Sequence, residues 1–210
     1  MQKRAPEKLA IFDFDETLTW RDTTLYFLRF YAGSTKAYMA FLLNLPSIAL
    51  AMNGITPWKS IKERIFSKIF GGHTPEQVTV YGQRFADDEI PKMLIEPVWT
   101  ELNRLRSEGY EILLLSASCS IWLEAWCKKE NIEMFCSELE VLNGKFTGKL
   151  KGENCYGPEK ANRLNAGYDL SKIRHVVAFG NHRSDYYYMD LAHDAYLVKG
   201  NQITKHEKQR

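Results

Sequence analysis

An α/β fold is what this chain predicts: a parallel sheet flanked by helices, with an α-helical segment inserted after the first strand. Three observations carry that reading. Short apolar runs at 9–12, 112–115 and 175–179 have the character of strands buried on both faces. Beyond Pro97 such runs alternate with helical stretches, the pattern of helices packed over a parallel sheet. From Thr23 to about Pro97 the apolar residues instead recur at helical spacing, so this part is read as a set of helices.

The first strand, Leu9-Ala10-Ile11-Phe12, runs directly into Asp13-Phe14-Asp15-Glu16-Thr17. Side chains on a strand alternate with a period of two, which would set Asp13 and Asp15 on one side and Phe12 and Phe14 on the other. In the helical part, Leu25, Leu28 and Phe30 mark a helix ended by Gly33, and Ile61, Ile65, Phe66 and Ile69 mark another ended by Gly71-Gly72. Thr74-Pro75-Glu76 opens a third, Thr being a good cap and Pro being tolerated in a first turn. A helix over 98–106 stops at Gly109, a strand follows at 112–115, and a helix at 121–129. Asn143-Gly144 divides 138–150 into a hairpin, because Asn-Gly suits a tight turn. A short helix at 158–165 and a strand at 175–179 complete the pattern.

Composition bounds the function. With 210 residues there is room for one sizeable core, or for a core with a smaller inserted domain. The 28 basic and 26 acidic side chains are dispersed and give a net charge of +2, so no nucleic-acid partner is expected. Cys119, Cys127, Cys136 and Cys155 form no Cys-x-x-Cys pair and have no His at zinc-finger spacing, which reads as reduced thiols in a cytoplasmic protein. The amino-terminal stretch from Met1 to Lys8 lacks the apolar region of a secretory signal, so export is not expected.

Two carboxylates at a strand's carboxyl end invite a cation. Unit charges 4 Å apart repel by about 4 kcal/mol at an effective dielectric near 20, and an arriving phosphate adds to the cost. A divalent ion with oxygen ligands removes it, and few protein carboxylates with phosphate as co-ligand is the habit of Mg²⁺. One carboxylate is then free to attack phosphorus and the other to carry the leaving group's proton. The three strands end in Asp13 to Thr17, in Ser116-Ala117-Ser118 and in Gly180-Asn181 to Asp185, and the carboxyl ends of such strands are where ligands sit. Lys160, in Gly157-Pro158-Glu159-Lys160 at a helix start, is placed to reach the same point. Singly, these residues have plainer readings. An Asp pair often caps a helix, Ser116 can satisfy backbone groups at a strand end, and a Lys is usually solvated. Cys119 reads as a small core residue, His182 as a loop residue and Tyr186-Tyr187-Tyr188 as helix packing.

Taken together and in this order, the four pieces resemble the haloacid dehalogenase-like superfamily, in its phosphatase branch with a helical cap after the first strand, the branch of phosphoserine phosphatase-like and bacterial phosphatidylglycerophosphate phosphatase-like proteins. The resemblance covers nearly the whole chain. It implies a Rossmann-like core at 1–22 and 98–210 and a helical cap at 23–97. It implies that Asp13 is the nucleophile, Asp15 the general acid and base, and Thr17 a support for the loop. Ser116 and Ala117 would bind phosphate oxygens with Lys160, and Mg²⁺ would be held by Asp13, the Asp15 carbonyl, Asn181 and Asp185. Two positions depart from the family pattern. Glu16 stands where Gly is frequent and is expected to point away from the metal. Asn181 keeps an oxygen donor but loses a unit of negative charge, which weakens Mg²⁺ affinity unless Asp185 moves in.

Residues 37–58 carry no charged side chain, close to the length of about 20 residues that spans a bilayer. Asn44, Pro46, Ser47 and Asn53 interrupt the run, and a span would put the two halves of one sheet on opposite sides of a membrane, so a span is rejected. Two readings stay open: a helical hairpin packed as the core of the cap, or an apolar cap surface that meets lipid at the inner face of the membrane. The resemblance to phosphatidylglycerophosphate phosphatases implies a phospholipid-type phosphomonoester as substrate. A small metabolite such as phosphoserine is the alternative, with Asp22 in place of that family's Glu, and a non-catalytic binding protein of the same fold is the third.

Overall fold

A computed structural model describes residues 3–207. Residues 1–2 and 208–210, which belong to the expected core segments and in part to the amino-terminal stretch read above, lie outside the described residues. The chain begins with β1 (Lys8–Phe12), followed by α1 (Thr23–Ala32), α2 (Ser34–Leu42), α3 (Leu45–Met52), α4 (Trp58–Phe70), α5 (Pro75–Asp88), α6 (Ile90–Met93) and α7 (Glu96–Ser107). It continues with β2 (Glu111–Cys119), α8 (Ser120–Glu130), β3 (Glu133–Ser137), β4 (Leu139–Leu142), β5 (Lys145–Leu150), α9 (Pro158–Gly167), β6 (His175–Gly180), α10 (Tyr186–Met189), β7 (Asp194–Lys199) and β8 (Gln202–Lys205).

The main sheet has the order β3-β2-β1-β6-β7-β8, parallel except for β8, which returns antiparallel on β7. In the register Phe12 lies opposite both Leu114 and Phe179, so the residues that follow Phe12, Leu114 and Phe179 meet at one edge of the sheet, β2 continuing past this level to Cys119. The Phe12 and Phe179 rings stack at 4.5 Å and 2°. Each face of the sheet has its own apolar layer, as buried parallel strands require. Leu9, Ile11, Leu113 and Ala178 pack with Leu164 of α9 and with Tyr188 and Met189 of α10. Ala10, Phe12, Leu114 and Phe179 pack with α7, α8 and the helices inserted after β1.

Local signals set the helix ends. Asp22 caps α1 by accepting the Leu25 N–H at 3.2 Å, and Thr74 and Gln77 form a reciprocal capping box at the start of α5. The β4–β5 turn places Asn143 and Gly144 both at positive φ, 51° and 72°, the conformation that Asn-Gly serves. The insertion is tied back to the core beyond β1, where Ile95 donates to Leu18 O at 2.8 Å and Trp20 to Met93 O at 3.0 Å. Phe27 of α1 stacks on Trp122 of α8 at 4.8 Å and meets Phe85 of α5 edge-on at 5.3 Å. The β4–β5 hairpin lies on α4, and just past that helix the Gly72 N–H donates to Phe146 O and the Phe146 N–H to His73 O, each at 2.9 Å.

Several expectations need correction. Strand β1 stops at Phe12, so strand alternation does not govern Asp13 to Asp15; a turn does. Strand β2 is longer than 112–115 because pairing with β3 continues from Ser116 opposite Cys136 to Cys119 opposite Ser137, across a register irregularity. Strands β3, β7 and β8 add to the strands expected from the sequence. Finally, the uncharged run is only in part a packed cap core: it buries Ala37, Ala40 and Ala51 and sets Phe41 and Ile48 against the core, but leaves Leu42, Leu43, Leu45, Met52 and Ile55 exposed.

Candidate active site

The Asp13 N–H donates to Phe179 O at 3.0 Å, one residue beyond the end of β1, which holds its side chain at the sheet edge. The Phe14 carbonyl then accepts N–H groups from Thr17, Leu18 and Thr19, and Glu16 takes a left-handed φ of 58° to close this turn. The turn buries Phe14 and leaves Asp13 and Asp15 in the wall of one cavity. Thr17 Oγ donates to Asp13 Oδ2 at 2.9 Å.

Lys160, at the start of α9, is the centre of the charge arrangement. Its Nζ donates to Asp13 Oδ1 at 2.6 Å and to Asp185 Oδ1 at 2.7 Å, with a side chain only 3% exposed. Asp185 Oδ2 in turn accepts the backbone N–H groups of Asn181 and His182, both at 3.2 Å, which fixes the loop after β6. Asp15 is held separately. Its Oδ1 accepts the Thr23 N–H at 2.7 Å and the Thr23 hydroxyl at 2.5 Å, and its Oδ2 accepts the Ser118 hydroxyl at 2.5 Å. Trp122 Nε1 donates to Thr23 Oγ at 3.2 Å and orients that hydroxyl.

Electrostatics follow from burial. Burial, opposed by Lys160 and reinforced by Asp185, pushes the Asp13 carboxyl up to about 6. Burial and the nearby Asp22 charge push Asp15 up to about 7. Burial alone would lower the Lys160 ammonium, but the Asp13 and Asp185 carboxylates outweigh it and raise it. The site therefore holds one firmly charged cation between two carboxylates, with a third carboxyl that exchanges protons near neutrality.

The cavity is about 500 Å³ and extends from these acids to an apolar wall supplied by the insertion, including Leu28, Phe41, Ile48, Ile61 and Phe66. Lys62 of α4 enters the same cavity, donating to the Ala117 carbonyl and to Asn154 Oδ1 at 3.3 Å. Desolvation there pulls the Lys62 ammonium down.

Of the residues singled out in the sequence, Asp13, Asp15, Ala117, Lys160, Asn181 and Asp185 line this cavity. Thr17 stands behind Asp13 as a hydrogen-bond donor. Ser116 is fully buried and accepts the Ser118 N–H at 3.0 Å, so the cavity-lining serine of Ser-Ala-Ser, itself buried, is Ser118. Glu16 does not turn away: it lines the cavity and accepts from Asn181 Nδ2 at 3.4 Å. Cys119 is buried and its thiol is pushed up by that burial, which suits a core residue. His182 caps its own turn, accepting the Ser184 N–H at 3.2 Å. Sequence reasoning missed Thr23, Ser118 and Lys62. The available signals were the second Ser of Ser-Ala-Ser and a lysine one residue from Ile61 on the apolar stripe of α4.

Comparison with known proteins places these features in a family. The model of haloacid dehalogenase-like hydrolases matches residues 10–190. Protein CicA of Caulobacter vibrioides is 24% identical over 183 residues, covering 84% of this chain and 79% of that protein. A protein of unknown function from Bordetella pertussis superposes with a TM-score of 0.77 at 16% identity, over 91% of this chain and 89% of that one. A phosphoserine phosphohydrolase-like protein from Francisella tularensis gives 0.62 at 19% identity, over 90% and 85%. A phosphoserine phosphatase captured as a phospho-aspartyl intermediate analogue gives 0.61 at 20% identity, over 91% and 86%. At these identities the structural likenesses establish the fold.

Proposed function

The chain belongs to the haloacid dehalogenase-like hydrolase family, and from that premise we propose that it is a Mg²⁺-dependent phosphomonoester hydrolase working through an aspartyl phosphate on Asp13. The observation that carries this reading is the buried Lys160 bridging Asp13 and Asp185, with Asp15 held apart from that bridge by Thr23 and Ser118. In this reading residues 23–97 are the cap and 1–22 with 98–210 the core.

An Asp13 oxygen attacks phosphorus and the ester P–O bond breaks. Asp15, protonated in half or more of the molecules up to about pH 7, gives its proton to the leaving alkoxide. Asp15 then takes a proton from water as the water oxygen attacks the aspartyl phosphate, releasing inorganic phosphate and restoring the Asp13 carboxylate. Lys160 holds the nucleophile in place and offsets charge on the transferring oxygens, with Ser116, Ala117 and Ser118 at the neighbouring strand end as the phosphate cradle.

The oxygen-only donor set fits a hard divalent cation: Asp13 and Asp185 carboxylates, the Asp15 carbonyl and the Asn181 amide, in a cavity with more carboxylates than ammonium groups. Mg²⁺ bound there would supply charge neutralisation for the approach of a phosphate dianion. Glu16 places a further carboxylate beside Asn181, returning near the loop the charge that an amide at 181 lacks.

The apolar cap wall favours a leaving group with hydrocarbon character, a phospholipid-type phosphomonoester such as phosphatidylglycerophosphate. A second reading, a small zwitterionic ester such as phosphoserine, is favoured by Asp22 and Lys62, a carboxylate and an ammonium in one cavity wall. Buried free thiols at Cys119, Cys127, Cys136 and Cys155 accord with the cytoplasm as the site of action. The test is phosphate release from p-nitrophenyl phosphate, phosphoserine, sugar phosphates and phosphatidylglycerophosphate, with Mg²⁺ or EDTA, by the wild type and Asp13→Asn. Mg²⁺-dependent turnover that Asp13→Asn abolishes is expected. Turnover retained in that variant overturns the mechanism, and silence on every ester favours a binding protein.

A further inference from the structure

We propose that the α2–α3 tip of the insertion is a docking surface for the interface of an anionic lipid bilayer. The inference goes beyond the catalytic reading and does not depend on it.

The tip inverts the usual arrangement of an amphipathic hairpin. Its fully buried apolar residues are the small Ala37, Ala40 and Ala51, with Phe41 and Ile48 half-buried against the core, while Leu42, Leu43, Leu45, Met52 and Ile55 are 58, 61, 52, 75 and 68% exposed. Scattered exposed apolar residues are ordinary, but this many large ones on one short hairpin form the kind of patch that marks an interaction site. The two amides of the run are turned onto the backbone, and Ser47 Oγ accepts from the Arg64 guanidinium at 2.9 Å. Asn44 Nδ2 donates to Ala40 O and Asn53 Nδ2 to Ala49 O, each at 2.8 Å, which satisfies helix-end carbonyls without putting a charge on the tip.

Charge identifies the partner. From Thr23 to Lys62 there is no acidic side chain, and Glu63, Arg64 and Lys68 follow on α4. Lys59 is paired with Glu153 at 2.7 Å and Lys62 is turned into the candidate active-site cavity, which leaves Lys36, Arg64 and Lys68 as the cations beside the tip. A groove between α2 and α4 has Met39 and Leu43 on its floor and Lys36 and Lys68 in its walls. Apolar floor and cationic rim match the boundary between acyl chains and phosphate headgroups, where interfacial helices lie. A second copy docked through this face would bring Lys36 and Lys68 against their own counterparts, and the nearest acid, Glu63, is engaged by the Leu150 N–H at 3.0 Å.

Geometry favours lying on a membrane over crossing one. Helices α2 and α3 are 9 and 8 residues long and are bent by 58° at their junction. Among the described residues no single helix is long and apolar enough to span a bilayer. Phe41 and Ile48, from the same hairpin, line the cavity that holds Asp13, so the proposed surface adjoins the route to the candidate active site.

The test is flotation of the full chain with vesicles of phosphatidylcholine containing phosphatidylglycerol, and with phosphatidylcholine alone. Two double variants accompany it: Leu42→Glu with Met52→Glu, and Lys36→Glu with Lys68→Glu. The wild type is expected to float with anionic vesicles, on the order of tenfold less with neutral ones, and each double variant to lose at least that factor. Hydrolysis of p-nitrophenyl phosphate should be unchanged in both variants, which shows that they fold; its absence in all three proteins alongside vesicle binding would fail the catalytic reading and leave the docking one standing. A wild type that stays unbound at every lipid concentration overturns the proposal, as does binding that the Leu42→Glu, Met52→Glu variant keeps. A dimer in sedimentation velocity that this variant dissolves, without vesicle binding, would assign the face to a second copy instead.

Discussion

At the scale of single residues, the site is a problem of desolvated charge. Lys160 has no solvent to fall back on, and each of its two partners is buried with it. Lys160→Ala leaves the Asp13 and Asp185 carboxylates facing each other, and breaking a buried pair in this way costs about 3–5 kcal/mol. Urea denaturation should show that loss at neutral pH and a smaller one in acid, where the carboxyls can protonate. Asp15 gives the opposite sign. Its carboxyl is raised to about 7 by burial first and Asp22 second, so between the unfolded value near 4 and about 7 the folded chain holds the extra proton. Stability from this group is complete below about pH 4 and is lost as pH rises through about 7. In EDTA, the melting temperature of the wild type should therefore fall from about pH 5 to about pH 8 more steeply than that of Asp15→Asn. Glu16→Gln removes the carboxylate beside Asn181 and should raise the Mg²⁺ concentration for half-maximal activity by on the order of tenfold, with isothermal titration giving the same shift. The acids and Lys160 were legible in the sequence because ionisable residues at strand and helix ends carry their own signal. Thr23, Ser118 and Lys62 were not, since hydroxyls and a lone lysine gain their roles from neighbours that only the fold supplies.

At the scale of elements, the capped and glycine-ended helices and the Asn-Gly hairpin were readable because their signals are local. Strand β3 escaped notice because Glu133-Met134-Phe135-Cys136-Ser137 neither alternates nor runs apolar, and it is a strand through its pairing with β2. The β7–β8 hairpin carries a local signal of its own, Gly200-Asn201 between Val198 and Ile203. The two glycines that matter most are contact points between elements. A Cβ at Gly82 would lie 1.9 Å from the Ile121 carbonyl oxygen, where α5 meets α8. A Cβ at Gly148 would lie 2.2 Å from Ser67 Cα and at a φ of +83°, where the hairpin meets α4. Gly148→Ala should therefore push the hairpin off α4, and amide exchange of Leu150 and Gly72, whose N–H groups bond across that contact, should accelerate. Unchanged exchange at both amides would show the hairpin held by other contacts.

At the scale of the whole molecule, the insertion and the sheet share one apolar cluster. Phe14 and Leu114 of the core side, Trp122 and Trp126 of α8, and Phe27, Phe66 and Phe85 of the insertion belong to it together. Phe27 is its hinge in energetic terms, touching Trp122, Phe85, Tyr31 and Phe70. An insertion with a separate core would unfold apart from the sheet; one that completes the sheet's own apolar face should unfold with it. Urea unfolding followed by tryptophan fluorescence and by far-ultraviolet circular dichroism should then give a single coincident transition. Phe27→Ala should move both curves together, by about 3–5 kcal/mol for a fully buried aromatic side chain. Two separated transitions, with Phe27→Ala shifting one of them alone, would mean that the insertion is an independent unit and that its contact with α8 is a docking surface able to open. The same cohesion bears on the site: Thr23, which holds Asp15, opens the helix that carries Phe27, so loosening the cluster should reduce turnover before it unfolds the chain.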